Sequence, residues 1–578
     1  MENKRVSELL DEIAALVSVE DFPTARFEVR AYQKAALTIG TLQEPIEDIY
    51  RKGGTAALME LPGVGKSIAS AIEEYIKTGK MKKYEMLKKK YPIDMAALTA
   101  IQGLGAKRAV ILYRKLGIKN VDDLKKAIAA HKIAGLEGFG EKSEESLRKG
   151  LEFMQAGGKR VIIMEALPVA EDLVKRLLES GLAERAMVAG SARRMRETVG
   201  DLDLLVVSNN AAAVMDFFGK LADVQSILVK GPTKTSVRLK MGLQCDLRVV
   251  APASYGAAKQ YFTGSRDHNI QVRKIAISKG YKLNEYGLFD KRGRNAAATE
   301  EGIYEKLGMQ IMAPEMREAR GEVELALKHQ IPPLVELGDI RGDLHTHTKE
   351  TDGADSLEEM AFAAMKLGYQ YIGSTEHTKS TPIAKGKDDK GFERILRNID
   401  KLNDKLEADG KKFRVLKGAE CDINKDGSLD LDRKTLEQMD CVVGSVHNNV
   451  RMAATEMSNR IIKALDTGLV HILGHPTGRI VNERAPYEVD LESVAESAER
   501  NGVALEVNST ARLDLNDTNI MLASKYRKLM FSINTDSHRT HDFMLIRYGI
   551  GMARRGWLGP GRVINTMELR DLLKWLAR

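Results

Sequence analysis

Cysteine is nearly missing: three residues in 578, Cys245, Cys421 and Cys441, with no C-x-x-C pair among them. That excludes a disulfide framework and a cysteine zinc knuckle, and it suits a reducing compartment. No stretch approaches the ~18 apolar residues of a membrane span. The first residues, "MENKRVSELLDEIAALVSVEDF", carry acids throughout and no uninterrupted apolar region, so they do not read as a signal peptide. The expectation is a soluble, cytoplasmic protein with no membrane partner. A large excess of one charge is absent too. There are 89 Lys and Arg against 81 Asp and Glu, a net +8, which leans only weakly toward a polyanionic partner such as nucleic acid. The length exceeds what one core supports and suggests three or four domains.

Up to about residue 155 the chain is dense in Lys, Glu, Ala and Leu at helical spacing, broken by glycine turns, and reads as all-helical. Three turns match: "LPGVGK" at 61 to 66, "IQGLGAK" at 101 to 107 and "LEGFGEK" at 136 to 142. Their glycines are Gly63 and Gly65, Gly103 and Gly105, Gly138 and Gly140. A G-h-G turn between helices presents backbone N–H groups at a helix start, a cradle for a phosphate without base information. One copy reads as an ordinary helix turn; three copies with a nearby lysine read as a grip on a DNA backbone. The lysines of "GKMKKYEMLKKKYP" (79 to 92) add attraction. "GVGKS" at 63 to 67 imitates a nucleotide-binding P-loop, but Glu60 stands where that motif needs glycine and no strand precedes it.

Residues 160 to 300 change to a mixed α/β texture. In "TVGDLDLLVV" (198 to 207) alternate strand residues share a face, so Asp201 and Asp203 point one way and Leu202 and Leu204 the other. Two adjacent carboxylates ask for a cation. Just upstream, "AGSARRMRE" (189 to 197) offers Gly190 and Ser191 at a helix start with Arg193, Arg194 and Arg196, a set suited to triphosphate oxygens. Asp246 in "QCDLRVV" is a third acid. Three carboxylates from two strands suit a two-Mg²⁺ site for phosphoryl transfer.

After a proline-bearing segment at 312 to 339, short apolar runs alternate with amphipathic helices from 342 onward. Nearly every run ends in a metal-capable residue, as in "DLHTH", "YIGSTEH", "CVVGSVH", "HILGH", "ALEVN" and "FSINTDSH". Parallel barrels place their sites at strand C-terminal ends, so a β/α barrel with one metal-rich mouth is expected. Its ligands would be His345, His347, Asp352, His377, Glu420, His447, His475, Asp536 and His538, enough for two or three Mn²⁺ or Zn²⁺ ions. His131, His329, His471 and His541 read as ordinary core or surface histidines. "DINKDGSLDLDR" imitates a calcium loop, but Arg433 stands where a bidentate glutamate is needed.

"GSARRMRETVGDLD", "CDLRVV" and "YFTGSRDHNIQVRKIAISKGYKLNEYGLF" (261 to 289) resemble the family X DNA polymerases, the group of DNA polymerase beta. Prokaryotic members carry a C-terminal PHP phosphoesterase domain, so the resemblance covers the whole chain. It implies a helix-hairpin-helix domain at 1–85, a second helix-hairpin-helix, fingers-type region at 86–155, a nucleotidyltransferase palm at 156–255, a thumb at 256–317, a linker at 318–339 and a (β/α) PHP barrel at 340–578. It also implies that Asp201, Asp203 and Asp246 bind two Mg²⁺. Gly190, Ser191 and Arg194 would hold the dNTP triphosphate, while Tyr261, Phe262 and Gly264 exclude a ribose 2′-hydroxyl. Asn269 and Arg273 would line the nascent pair, and Asn284 to Phe289 close the site. In the barrel it implies a trinuclear centre: His345, His347, Glu420 and Asp536 on one ion, Glu420, His447 and His475 on a second, Asp352, His377 and His538 on a third. Glu376 replaces the usual aspartate of T-D-H and is expected behind the ligands.

Other positions depart from the pattern. Gln244 and Arg266 replace the Arg and Asp of eukaryotic members, and Ala71 stands where a Schiff-base lysine is required, with Lys66 and Lys77 the nearby amines. The expectation is therefore a monomeric, gap-filling DNA polymerase for DNA repair, base excision repair included, acting on gapped or nicked duplex with dNTPs. Its PHP domain would supply 3′-5′ exonuclease or end-cleaning activity, and 5′-deoxyribose-phosphate lyase activity is not expected. The rival readings are a histidinol-phosphatase-like enzyme with an inactive N-terminal half, and a DNA-end scaffold without chemistry.

Overall fold

The computed structural model describes residues 3–20, 25–40, 45–99, 101, 104–141, 143–145, 147–148, 151 and 160–577. They form two compact units, Met1–Lys159 and Arg160–Arg578. Among the described residues no helix is long and apolar enough to cross a membrane.

The first unit is helical. Helices Asn3–Val17, Ala25–Gly40, Ile46–Met59 and Lys66–Thr78 bury one apolar stripe each, around Leu10, Ile13, Tyr32, Ile39, Leu58 and Ile72. Shorter helices, among them Ala106–Leu116 and Val121–Ala129, close a second core on Ile93, Leu98, Leu112, Leu124 and Leu147. Asn120 caps the helix at Val121 by accepting from Asp123 N–H, which satisfies one of the first-turn donors.

The second unit begins with β1 (Val161–Ile162), β2 (Arg185–Val188), β3 (Thr198–Val199), β4 (Asp201–Val207), β5 (Val224–Lys230), β6 (Lys234–Leu239) and β7 (Gln244–Val250). The sheet of this part, expected to be the palm, runs β2-β4-β7-β6-β5. Its β4 and β7 are parallel neighbours, and its other pairs are antiparallel. Leu202, Leu204, Val206, Leu247 and Val249 pack one sheet face into a core shared with helices Ile163–Glu179 and Ala211–Gly219. The alternation of β4 thus turns its carboxylates to the other face.

The thumb contains helices Tyr255–Thr263 and Arg266–Ser278 and a hairpin of β8 (Lys282–Asn284) and β9 (Gly287–Phe289). The segment after it is more than a connection: helix Glu322–Leu327 sends Val323 and Ala326 into the same core as Val272, Leu288 and Tyr304.

Seven parallel strands follow: β10 (Gly342–Thr346), β11 (Tyr371–His377), β12 (Arg414–Asp422), β13 (Cys441–Ser445), β14 (Ile472–Leu473), β15 (Ala504–Asn508) and β16 (Phe531–Asn534). They pair strictly in chain order, and a bridge between Thr346 and Ser537 brings the two ends together. Strands of such a barrel are buried on both faces, which is why they read as continuous apolar runs.

Candidate active sites

The three hairpins share one hydrogen-bond pattern. Val64, Leu104 and Phe139 N–H donate to the carbonyls of Leu61, Ile101 and Leu136, at 3.0, 3.0 and 2.9 Å. One turn on, Ala69, Ala109 and Glu144 N–H donate to Gly65, Gly105 and Gly140 at 2.9, 3.0 and 3.0 Å. The next helix therefore starts at the second glycine, leaving its first N–H groups outside the helical ladder. A Cβ added at Gly65, Gly105 or Gly140 would meet nothing within 4 Å, so the backbone is open to a phosphate. Gly63 and Gly138 take φ of +88° and +81°, and Gly103 lies outside the described residues. The residue before the P-loop mimic lies in a helix-to-turn connection, not at a strand end. Ala71 offers no amine; Lys77 is tied to Glu73 at 2.7 Å, and Lys66 is exposed at the hairpin.

In the palm, parallel pairing sets Asp203 beside Asp246 and Asp201 beside Gln244. Burial, then Asp201 and Asp246, push the Asp203 carboxyl up to about 7. Asp201 is raised by burial and Asp246. Burial would raise Asp246 as well, but hydrogen bonds from Lys234, Gln244 and Ser236 hold it below its usual range. Lys234 Nζ lies 2.6 Å from Asp246 Oδ2, and Gln244 Nε2 donates to Oδ1 at 2.9 Å. Carboxylates crowded enough to raise one another are a fit for divalent cations. Lys234 and Arg160, the latter bonded to Thr198 and facing Asp201, were not legible as site residues because they come from neighbouring strands and turns.

Gly190, at φ +60°, opens the short helix Gly190–Arg193 directly over Asp203. Arg193 pairs with Glu300 at 2.8 Å. Arg194 donates to the Thr263 carbonyl at 2.6 Å and to Glu318 at 3.1 Å, and its guanidinium lies against Gly264, where a Cβ would stand 2.9 Å away. Asn269 Nδ2 donates to the Tyr261 carbonyl at 2.7 Å, and Arg273 Nε to the Asn269 carbonyl at 3.2 Å. Tyr261 and Phe262 meet edge to face, with Arg248 over the Phe262 ring. The contacts thus form two sets, Gly190, Arg194 and Gly264 in one and Tyr261, Phe262, Asn269 and Arg273 in the other, joined through helix Tyr255–Thr263, with Ser191 on the turn of the first.

At the barrel mouth, ligand atoms of His347, Asp352, His377 and His538 lie within 4.8 Å of one another, as do those of His345, His347 and Asp536, and of His377, Glu420 and His447. His475 Nε2 reaches Glu420 Oε1 at 2.8 Å. All nine expected ligands are gathered, with His347 and His377 each belonging to two groups. Neither ring nitrogen of the fully buried His347 makes a well-formed hydrogen bond, nor does His345 Nε2 or His447 Nε2. Buried donors and acceptors left unmet are costly, so this donor set fits metal ions. Burial alone would discharge Glu420, but His447, His377 and His345 hold it well below the usual range. Burial and His377 push His347 down to about 3.

Behind these residues stand Glu506 and Asp422, to which sequence reasoning assigned no role, and Glu376, which it expected there. Glu506 takes His345 Nδ1 at 2.7 Å and His475 N–H at 2.7 Å, and Asp422 faces His447 Nδ1 at 3.3 Å. A carboxylate on the far nitrogen fixes the ring and its tautomer. Their signal was present: Glu506 lies within one of the same apolar runs, "ALEVN", and Asp422 opens the calcium-loop mimic. Glu376 accepts from Thr348 at 2.7 Å, and from Thr351 and Ser374, pinning the loop after His347. His471 accepts from Val442 N–H and bonds the Leu576 carbonyl, an ordinary structural histidine.

Four family models match: a helix-hairpin-helix domain over residues 1–81, a SAM-like helix-hairpin-helix tandem over 95–152, the DNA polymerase beta thumb over 258–318 and a PHP domain over 343–510. A DNA polymerase/3′-5′ exonuclease PolX of Bacillus subtilis (strain 168) is 35% identical over 584 residues, covering 100% of both chains. Probable phosphatases of Thermoanaerobacter sp. (strain X514) and Syntrophotalea carbinolica are 28% and 25% identical, over 40% and 39% of this chain and 94% and 92% of theirs. Likeness to the Bacillus protein runs end to end through hairpins, palm, thumb and barrel, and on that ground the chain belongs to the PolX family, the family X DNA polymerases with a C-terminal PHP domain.

Proposed function

We propose that the chain is a DNA-directed DNA polymerase that fills short gaps, and that its PHP domain is a 3′-5′ exonuclease that cleans the primer end. The carrying observation is the alignment of Asp203 with Asp246 across parallel strands, beneath the Gly190 turn and beside Asp201. In this reading Asp201, Asp203 and Asp246 hold two Mg²⁺, which when bound supply charge neutralisation for phosphoryl transfer. Gly190, Ser191 and Arg194 grip the triphosphate. Tyr261, Phe262 and Gly264 wall off the ribose 2′ position, and Asn269 and Arg273 face the new base pair. The hairpins at Gly63–Gly65, Gly103–Gly105 and Gly138–Gly140 donate backbone N–H groups to DNA phosphates on gapped or nicked duplex.

The nine barrel ligands hold two or three Mn²⁺ or Zn²⁺ ions, whose role when bound is to activate water and clamp a phosphodiester. Glu506 and Asp422 keep His345 and His447 in the ligating orientation. Removal of a 3′-phosphate is a second proposed activity, because the barrel is similar to proteins described as probable phosphatases. The working form is taken as a monomer, and no lyase activity is assigned. Fusion has a physical logic: a blocked 3′ end is no nucleophile, and a tethered nuclease restores it at high effective concentration.

The test is one gapped substrate and two double variants. Asp201→Ala with Asp203→Ala should abolish synthesis and spare degradation; His345→Ala with His347→Ala should do the reverse. Joint loss of both activities in either protein refutes the two-site assignment.

A further inference from the structure

The triphosphate turn is not held by the palm alone. Helix Ile546–Arg555 of the PHP domain packs on it closely enough that a Cβ at Gly551 would lie 2.7 Å from Met195 Cε. From the end of that helix, Arg555 Nη1 donates to the Arg194 carbonyl and to Glu318 Oε1, both at 2.8 Å, while Nη2 donates to Asp517 at 2.5 Å. The same Glu318 oxygen accepts from Arg194 Nε at 3.1 Å, and its other oxygen faces Arg196 at 3.5 Å. Arg555 is buried and Glu318 and Arg194 are largely so, with side chains 3%, 9% and 11% exposed. A few residues on, Arg479 of the PHP loop after His475 grips Glu197 at 2.7 Å. The turn from 194 to 197 is therefore clasped at both ends by phosphoesterase-domain arginines.

We propose that Arg555 is a positioning residue of the polymerase site: it fixes the Arg194 main chain and takes up the charge of Glu318, leaving the Arg194 guanidinium available to an incoming dNTP. This rests on the reading of Arg194 as a triphosphate grip. The electrostatic argument gives a direction. Glu318 and a triphosphate compete for one guanidinium in a water-poor site, where unshielded charges act strongly. With Arg555 present, Glu318 has a second full cation, and handing Arg194 to the nucleotide leaves no bare carboxylate. Without Arg555, Glu318 claims Arg194 outright and repels the triphosphate. A phosphoesterase domain is then a structural requirement for dNTP affinity, independent of its own chemistry.

Single-nucleotide gap filling by the full chain with Mg²⁺ tests this. Arg555→Gln should raise KM for dNTP about tenfold, the scale of one charge-assisted hydrogen bond, with KM for DNA and exonuclease rate within threefold of the parent. Adding Glu318→Gln to Arg555→Gln should bring the dNTP KM back to within threefold, a rescue that simple loosening of the domain contact would not give. Arg547→Gln, which cuts the exposed Arg547–Glu171 contact between the same two domains, should leave it unchanged. Arg194→Ala is the reference. If it does not raise the dNTP KM, the grip assignment fails and this inference with it. If it does, while Arg555→Gln stays within twofold or the double variant stays as poor as the single, this inference alone is overturned. Should Arg555→Gln not fold, Asp517→Asn removes one anchor of the guanidinium and should shift KM the same way by about threefold; no shift there is equally decisive.

Discussion

Gly190→Ala offers the sharpest probe of the palm. The residue sits at φ +60°, where an L side chain costs about 1–2 kcal/mol. The larger effect is steric. The new Cβ would stand 2.2 Å from Asp203 Oδ2, 3.1 Å from its Cγ and 3.2 Å from its Cβ, against the 3.0 Å below which such contacts essentially do not occur. The carboxylate must therefore retreat by roughly 0.8 Å from the position it holds beneath the Gly190 turn. A misplacement of that size at a reacting centre costs on the order of 10²-fold, or about 2.7 kcal/mol on the barrier. The assay is kcat/KM for filling a one-nucleotide gap, with exonuclease on the same preparation as internal control of the fold. Synthesis should fall about a hundredfold while degradation is unchanged. Synthesis within threefold of the parent would show that Asp203 is not needed where it stands, and the palm assignment would go with it.

Glu506→Gln removes the carboxylate charge behind His345 Nδ1 and one of the two oxygens that take His345 and the His475 N–H; exonuclease activity and metal affinity should drop 10- to 100-fold with dNTP incorporation untouched, and a cation titration that matches the parent speaks against it. Glu300 provides a pH test. Burial would raise its carboxyl, but Arg317 and Arg193 bring it down to about 2. A depressed acid stabilises the fold fully above its ordinary pKa and loses that contribution as pH falls toward 2, here on the order of 3 kcal/mol. Glu300→Gln should accordingly lower the melting temperature at pH 7 and flatten its decline between pH 5 and 3; parallel curves for variant and parent would refute the ion pair's contribution. At the hairpins, Lys107→Ala should weaken binding to all DNA sequences alike and reduce the slope of log affinity against log salt by about 1, and an unaltered slope would place Lys107 away from phosphate.

Much was legible in the chain. Helical spacing and the repeated G-h-G turns marked the first unit, because helix starts are set by local backbone chemistry. The acid alternation of β4 was readable because strand geometry puts every second residue on one face. The grouping of the nine barrel residues was readable because parallel strands deliver their ends to one rim, so His345 and His538, 193 positions apart in sequence, could be placed together.

What could not be read are the partners brought in from other elements. Lys234 reaches Asp246 from the adjacent strand, Glu506 stands behind His345, and helix Glu322–Leu327 joins the thumb core although its proline-flanked segment reads as a connection. Most of all, nothing in the order of residues ties Arg555 to Arg194 across 361 positions. The sequence by itself determined the chemistry, since the kind and spacing of carboxylates, imidazoles and glycines decide what ions and phosphates can be held. Only tertiary packing decided which charges face one another, because that depends on how separately patterned strands, helices and turns are brought into contact, a long-range matter that no local spacing encodes.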